Sequence, residues 1–425
     1  MENQPLTQLK RPRFFYGYVV VIASFNIQVV TWGLFNTFGV FFNPLLNEFG
    51  WPRAVISSAQ SLGGVLHSFM AIIVGGLADR FGPRVVMTGC GFFFGLGYFM
   101  MSQVNTIWQV YLFYSVIMAI GVSGVDAVLL SAIARWFVKK RGMMTGIVKV
   151  GTGVGMLVLP LVISWLISGH GWRRAYVVVG IGAFVFIVSS AQFLRRDPHQ
   201  MGLLPDGEQQ VNAVNEDLAE SGLSLREATR TRQFWMVSAA LFAFFFCQAI
   251  VVVHIAPYAV DLGISAAHAA GLISIIGGAS IVGRIVMGSA SDRVGSKLAL
   301  VICFAILLAT LLWLQLAEEL WMLYLFAAVY GFAHGGFFAL VSPTVADLFG
   351  TSSQGAILGG VFFSGSIGLA IGPVLAGYIF DITDSYRIAF LIMTALSTVG
   401  LVLAASLRPI KDMGVASSFL TTLNI

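Results

Sequence analysis

Twelve apolar stretches of about 20 residues or more divide this chain, and a stretch of that length reads as a helix that crosses a bilayer. They fall at about 16–42, 54–78, 84–103, 107–135, 142–168 and 172–194, then 233–261, 266–291, 297–317, 320–346, 353–380 and 386–407. Several exceed what a bilayer needs, so tilt or projection beyond it is expected. Only 10% of the residues are charged and 58% are hydrophobic, whereas soluble domains carry about 25% charged residues. A soluble fold needs a surface that this composition does not supply. The net charge of +5 is no nucleic-acid signal, because Lys and Arg sit between the apolar runs.

The distribution of those cations predicts orientation. With both termini inside, 18 of the 24 Lys and Arg residues are cytoplasmic and only Arg53, Arg173, Arg174 and Arg387 are external. The expected organisation is a membrane bundle over 1–194, a cytoplasmic linker over 195–232, a second bundle over 233–407 and a cytoplasmic tail over 408–425 in a multi-pass cell-membrane protein. The linker carries Asp197, Asp206, Glu208, Glu216, Asp217 and Glu220, suits a solvated segment, and has room for a short amphipathic helix near Leu223–Thr231. The basic Lys10-Arg11-Pro12-Arg13 leads into a run too long for a cleavable signal peptide. Cys90, Cys247 and Cys303 lie within apolar runs without metal or redox spacing and read as packing residues. The strings Gly151-Thr152-Gly153-Val154-Gly155 and Gly365-Ser366-Ile367-Gly368 lack the preceding strand and following Lys-Ser/Thr of a phosphate loop; helix packing explains them better. No catalytic triad, metal site or nucleotide motif is present, so neither an enzyme nor a cofactor is expected.

Three ionisable residues inside the spans stand out, because a charge at that depth costs several kcal/mol unless it faces protein or water. Arg284 lies eight residues before Asp292 in the eighth span, Asp126 nine before Arg135 in the fourth, and Lys149 eight after Arg141 in the fifth. At about 1.5 Å per residue all three sit about 12–14 Å from the cytoplasmic ends. One reading is a charge-balanced cavity in which Arg284, with Lys149, holds an anion while Asp126 tunes or couples. The other makes Asp126–Lys149 a plain ion pair between two helices. His67 and His334 lie mid-span in the second and tenth spans and His254 near the outer end of the seventh, each able to shuttle protons or simply to pack. His334, beside Gly335 and Gly336, suits a cavity wall, as do Asn36, Ser280, Tyr330 and Ser364.

The halves repeat. Gly75-Gly76-Leu77-Ala78-Asp79-Arg80-Phe81-Gly82-Pro83-Arg84 recurs 213 residues later as Gly288-Ser289-Ala290-Ser291-Asp292-Arg293-Val294-Gly295-Ser296-Lys297, and the same offset takes Gly142 to Gly355 and Pro160 to Pro373. Two six-helix bundles related by an axis along the membrane normal would produce this. Gly75 and Gly288 allow close helix approach, Gly82 and Gly295 a tight turn, and Asp79 and Asp292 a cap or pair at a neighbouring helix end. In a twelve-span chain the doubled G-x-x-x-D-R-x-G-x-R/K turn resembles the signature of the major facilitator superfamily. That resemblance implies an all-α membrane fold of twelve transmembrane helices in two bundles, with these turns, Arg80 and Arg293 included, as conformational switches.

Three further stretches resemble the monocarboxylate transporter and oxalate/formate antiporter branch: Tyr16-Gly17-Tyr18 with Phe41-Phe42, Arg135-Trp136-Phe137-Val138-Lys139-Lys140-Arg141-Gly142, and His254-Ile255-Ala256-Pro257-Tyr258 followed by Arg284. In that branch the eighth-helix arginine binds the substrate carboxylate, and Arg284 matches it. The chain departs at Asn36, where animal relatives carry lysine, at Ser280, where they carry aspartate, and at Ser364, where the oxalate antiporter has a second basic residue. The resemblance implies a secondary transporter of a small carboxylate such as lactate or pyruvate, and the span charges and histidines offer Asp126, His254 and His67 as residues that couple it to protons. The alternative is an organic-anion exchanger without net proton flux.

Overall fold

In the computed structural model, residues 15–51, 53–207 and 222–408 are described. The basic Lys10, Arg11 and Arg13, the acidic Glu208, Glu216, Asp217 and Glu220 of the linker, and the tail after Arg408 lie outside the described residues. Apart from one isolated bridge between Gly222 and Gly350, regular structure here is helical. The first bundle contains α1 (Gly17–Phe35), α2 (Phe38–Phe49), α3 (Arg53–Phe81), α4 (Pro83–Met101), α5 (Ile107–Trp136), α6 (Arg141–His170) and α7 (Trp172–Ala191). A single turn, α8 (Leu225–Ala228), precedes the second bundle. That bundle contains α9 (Arg232–Asp261), α10 (Ala266–Val294), α11 (Ser296–Leu314), α12 (Leu320–Phe349), α13 (Gln354–Thr383) and α14 (Arg387–Ser406). Among the described residues twelve stretches are long and apolar enough to cross a membrane, the first being Gly17–Phe42, which takes in α1 and only the start of α2.

Two local departures from the sequence reading have visible causes. The first span is broken at Asn36–Thr37, where the Asn36 amide donates to Trp32 O (2.7 Å) and the Thr37 hydroxyl to Leu34 O (2.5 Å). Side chains that bond their own backbone compete with the helix. The carbonyls at the break also take hydroxyls from neighbouring helices: Tyr98 donates to Leu34 O (2.6 Å) and Tyr114 to Phe35 O (3.1 Å). Beyond the break α2 is tied to the start of α7, where Trp172 Nε1 and Arg173 Nη2 donate to Glu48 (2.6 and 2.7 Å). The Arg173 bond, foremost, holds this carboxyl below its usual range. The amphipathic segment expected near Leu223–Thr231 shrinks to the single turn of α8, fixed by a capping box between Ser224 and Glu227.

Glycines set how closely the bundles meet. A Cβ at Gly355 would stand 2.7 Å from Gly75 O, one at Gly288 2.5 Å from Gly142 O, and one at Gly359 2.5 Å from Ala71 O. Only hydrogen side chains permit such backbone contact. The contacts run along α3 with α13 and along α6 with α10, and they stop part-way. On α10 the face toward α6 carries Asp292, Gly288, Arg284 and Ile281, then Gly277, where an added Cβ would meet nothing within 4 Å. On α3 the face toward α13 carries Asp79, Gly75 and Ala71, then Gly64, equally unobstructed. The bundles are thus packed together at the linker end and stand apart at the far end.

A branched side chain at these contacts should force the linker end open. We expect Gly288→Val to raise the maleimide labelling rate of a cysteine placed at buried Ser291 by about tenfold or more, from about 1–3 kcal/mol of overpacking. Unchanged labelling would show that the glycine contacts do not hold the ends together.

Candidate functional site

The three intramembrane charges come together between the bundles. Lys149 Nζ lies 2.8 Å from Asp126 Oδ1, joining α6 to α5, and the lysine is 3% exposed. Gln28 of α1 donates its amide to the same carboxylate oxygen (2.8 Å), and Thr152 donates to Gln28 Oε1 (2.8 Å). The Thr152 bond turns the Gln28 amide so that its NH2 meets the acid. The Lys149 ammonium also lies 5.7 Å from the Trp32 ring and 5.3 Å from the Phe338 ring. Attraction to an aromatic face is worth about 0.5–2 kcal/mol depending on desolvation.

Arg284 approaches from the opposite bundle. Its guanidinium lies 6.0 Å from the other cation's ring, Phe338, and the residue is 5% exposed. Nε and Nη1 are buried without a hydrogen-bond partner. Close packing fixes the helix that carries it: a Cβ at Gly335 would collide with Ser280, one at Gly283 with Phe332, and one at Gly146 with the Arg284 carbonyl. Where Arg284 Nη1 reaches α6 the residue is Gly153, and a Cβ there would stand 3.0 Å away. The site therefore has two cations and one carboxylate, one positive charge in excess, with the excess on a rigidly mounted planar fork suited to a carboxylate.

Other candidates surround this cluster unevenly. His334 stacks between Tyr330 (5.9 Å) and Phe244 (6.0 Å) with an edge contact to Phe338 (5.2 Å), and both ring nitrogens are buried without partners. The Tyr330 hydroxyl is likewise buried and unpartnered. His67 packs on Trp32 (5.6 Å) and Phe35 (5.7 Å), with Nδ1 unpartnered. Ser280 lies one turn before Arg284, but its hydroxyl is given to Gly277 O (2.7 Å). Asn36 is exposed at the α1–α2 break, and Ser364 donates to Gly360 O (3.3 Å). His254 is engaged at both nitrogens, 3.0 Å from Pro373 O and 3.2 Å from Tyr386 Oη. Since a carbonyl only accepts, Nε2 donates to Pro373 and Nδ1 accepts from Tyr386 in the neutral ring. Among the described residues no contact joins Asn36, Ser364 or His254 to the charged cluster.

The repeated turns meet at the linker end, and each aspartate reaches into the other bundle. Asp292 accepts from the N–H groups of Gly142 (2.6 Å) and Met143 (2.9 Å) at the start of α6. Asp79 accepts from Gly355 (3.4 Å) and Ala356 (3.1 Å) at the start of α13. A carboxylate at a helix N-terminus satisfies orphan donors and the helix dipole together. Gly82 and Gly295 both adopt φ of +87°, which a side chain would strain. Arg135, rather than Arg80, pairs with Asp79 (2.7 Å) and also donates to the Thr351 and Ser352 carbonyls across the interface (2.8 and 3.2 Å). Arg141, rather than Arg293, bridges to Asp347 (3.0 Å). Arg80 lies over its neighbour Phe81 (5.2 Å), and both Arg80 and Arg293 are exposed.

Gln28, Thr152, Trp32, Phe338 and Asp347 were not anticipated from the sequence. A signal existed for some: Gln28 and Trp32 are one helical turn apart in an otherwise apolar run, and Phe338 is one turn beyond His334.

The Major Facilitator Superfamily model matches residues 20–314 and 278–417. The chain is 27% identical over 388 residues to monocarboxylate transporter 13 of Bos taurus, covering 91% of this chain and 88% of that one. It is 27% identical over 429 residues to the oxalate:formate antiporter of Oxalobacter formigenes, covering 96% and 95%. Among solved structures, the fucose:proton symporter of E. coli superposes with a TM-score of 0.69 at 16% identity, covering 92% of this chain and all of that one. The human organic anion transporter MFSD10 superposes with a TM-score of 0.66 at 15% identity, covering 92% and 98%. Doubled turns, two bundles and a family model matched along most of the chain agree: this multi-pass membrane protein belongs to the Major Facilitator Superfamily, and the curated relatives it matches include monocarboxylate transporters and an oxalate:formate antiporter.

Proposed function

We propose that the chain is a secondary transporter that moves a small organic monoanion, a monocarboxylate such as lactate or pyruvate, by alternating access. The observation that carries this reading is the unpartnered Arg284 fork, buried between the bundles with one positive charge in excess around it. The carboxylate binds Arg284 and cancels that excess, which removes the cost of a lone buried charge. The names of the matched transporters and antiporter support the substrate class. The proposed orientation puts the linker and both termini in the cytoplasm, following the excess of Lys and Arg on that side. Protons enter through Asp126. Its protonation removes the counter-charge of Lys149 and makes the site more positive, so acid on the substrate side favours anion entry. His67 and His334 flank the cluster as further proton or substrate contacts. The match to an antiporter favours a second reading, anion exchange without net proton flux.

Arg284→Lys keeps a charge and loses the fork. We expect uptake of labelled lactate in proteoliposomes to fall about 10–100-fold, from the loss of charge-assisted hydrogen bonds worth about 1.5–3 kcal/mol. Normal uptake by a well-folded variant would place the site elsewhere. Asp126→Asn should flatten the rise of uptake with falling external pH under the symport reading. Counterflow that persists without a pH gradient, and ignores pH in wild type, would establish the exchanger instead. Lys149→Met alone strands a buried carboxylate and should destabilise the fold by about 3–5 kcal/mol, whereas Lys149→Met with Asp126→Leu should recover most of that. If the double variant also transports normally, the pair is structural only.

A further inference from the structure

The linker end is held by two arginines of the first bundle, and their surroundings differ in one respect. Arg135 has its carboxylate partner, Asp79, on its own bundle, and reaches across only to carbonyls. If the bundles separate here, that ion pair stays intact. Arg141 is held to its own bundle through Nε, which donates to Ala134 O (3.2 Å) and Phe137 O (3.3 Å). Its ion-pair partner, Asp347, belongs to the other bundle, where it also accepts from Ser296 (2.6 Å). Separation strips Arg141 of that partner, and the guanidinium, 14% exposed while the bundles are closed and still tied to its own bundle through Nε, is left to water or to a carboxylate within reach.

One further carboxylate stays with the first bundle. Asp206 lies on the linker turn Pro205–Gly207, and its Oδ2 accepts from the backbone N–H groups of Val138 (2.9 Å) and Lys139 (2.8 Å) in the α5–α6 turn. The stretch leading to it is fastened to the same bundle by Trp136 Nε1 donating to Arg195 O (3.0 Å). Asp206 adopts a φ of +58°, a left-handed conformation that Asp and Asn tolerate better than other side chains. Its other oxygen, Oδ1, is buried with no hydrogen-bond partner. Of the carboxylates Asp347, Asp206 and Asp292 around Arg141, only Asp206 belongs to its own half.

We propose that Asp206 is the second berth of Arg141: when the linker end opens, the guanidinium leaves Asp347 and takes Asp206 Oδ1, so the linker stabilises the opened state. The linker is then part of the gate, a conformational role that none of the repeated turns supplies for Arg141. This inference needs the bundles to part at the linker end but does not depend on which solute is carried.

The test uses the full chain in lipid nanodiscs, with spin labels on cysteines at exposed Val85 and Leu298, positions one repeat apart in opposite bundles; the native cysteines are buried. Asp206→Asn keeps an oxygen for the two N–H groups and removes only the charge. It should lower the population of the longer, linker-open distance about tenfold, the loss of one charge-assisted bond. Asp347→Asn should raise that population by a similar factor, and the two together should return it toward wild type. Asp206→Ser, whose hydroxyl can also accept from the turn, serves if the Asn variant does not fold. An unchanged distribution in the Asp206 variants, or a shift toward the open distance, overturns the proposal. So does a double variant more open than Asp347→Asn alone.

Discussion

A guanidinium buried between two helical bundles with no counter-charge of its own is the constraint around which this molecule is built. Arg284 costs free energy where it sits, and the surrounding chemistry reads as ways of bearing that cost. The Phe338 ring lies near both cations, Gly153 leaves room for the fork, and glycine contacts on two sides keep the helix from shifting away. The lysine that faces it is already neutralised by Asp126, so the unbalanced charge is that of the fork.

The hydrogen-bonded lattice behind Lys149 serves the same end. Asp126 takes two donors on one oxygen, from Lys149 and Gln28, and Thr152 orients the Gln28 amide. An acid with two donors tolerates the temporary loss of one better than an acid with a single partner. The proposed transport cycle draws on this property if Lys149 turns to the passing anion. That cycle, as proposed, also needs the two bundles to present this chemistry to alternate sides.

Closure at the linker end depends on a different interaction. Two aspartates, one from each repeat, cap helices of the opposite bundle, and glycine pairs bring the backbones close enough for the caps to form. The symmetry is approximate. Arg135 and Arg141 hold the two halves by unlike means, one through carbonyls and one through Asp347. That difference is what makes a linker carboxylate useful on one side only.

Much of the fold could be read from residue order. Span number, the doubled turn and the equal depth of Arg284, Lys149 and Asp126 all follow from counting along the chain, because a helix in a bilayer converts sequence position into depth with little freedom. The break at Asn36–Thr37 escaped that reading, since an apolar run looks continuous even where side chains take the backbone carbonyls. Depth also leaves direction open. Whether His254 faces the charges or binds Pro373 and Tyr386, whether Asp79 meets Arg80 or Arg135, and that Phe338 serves two cations from different helices, depend on rotation and crossing of helices distant in sequence. Residue order alone determined which segments are long and apolar enough to cross and how far along them the charged residues lie. The tertiary structure decided which buried groups meet, because helix packing depends on side-chain shape across the interface and not on position along one chain.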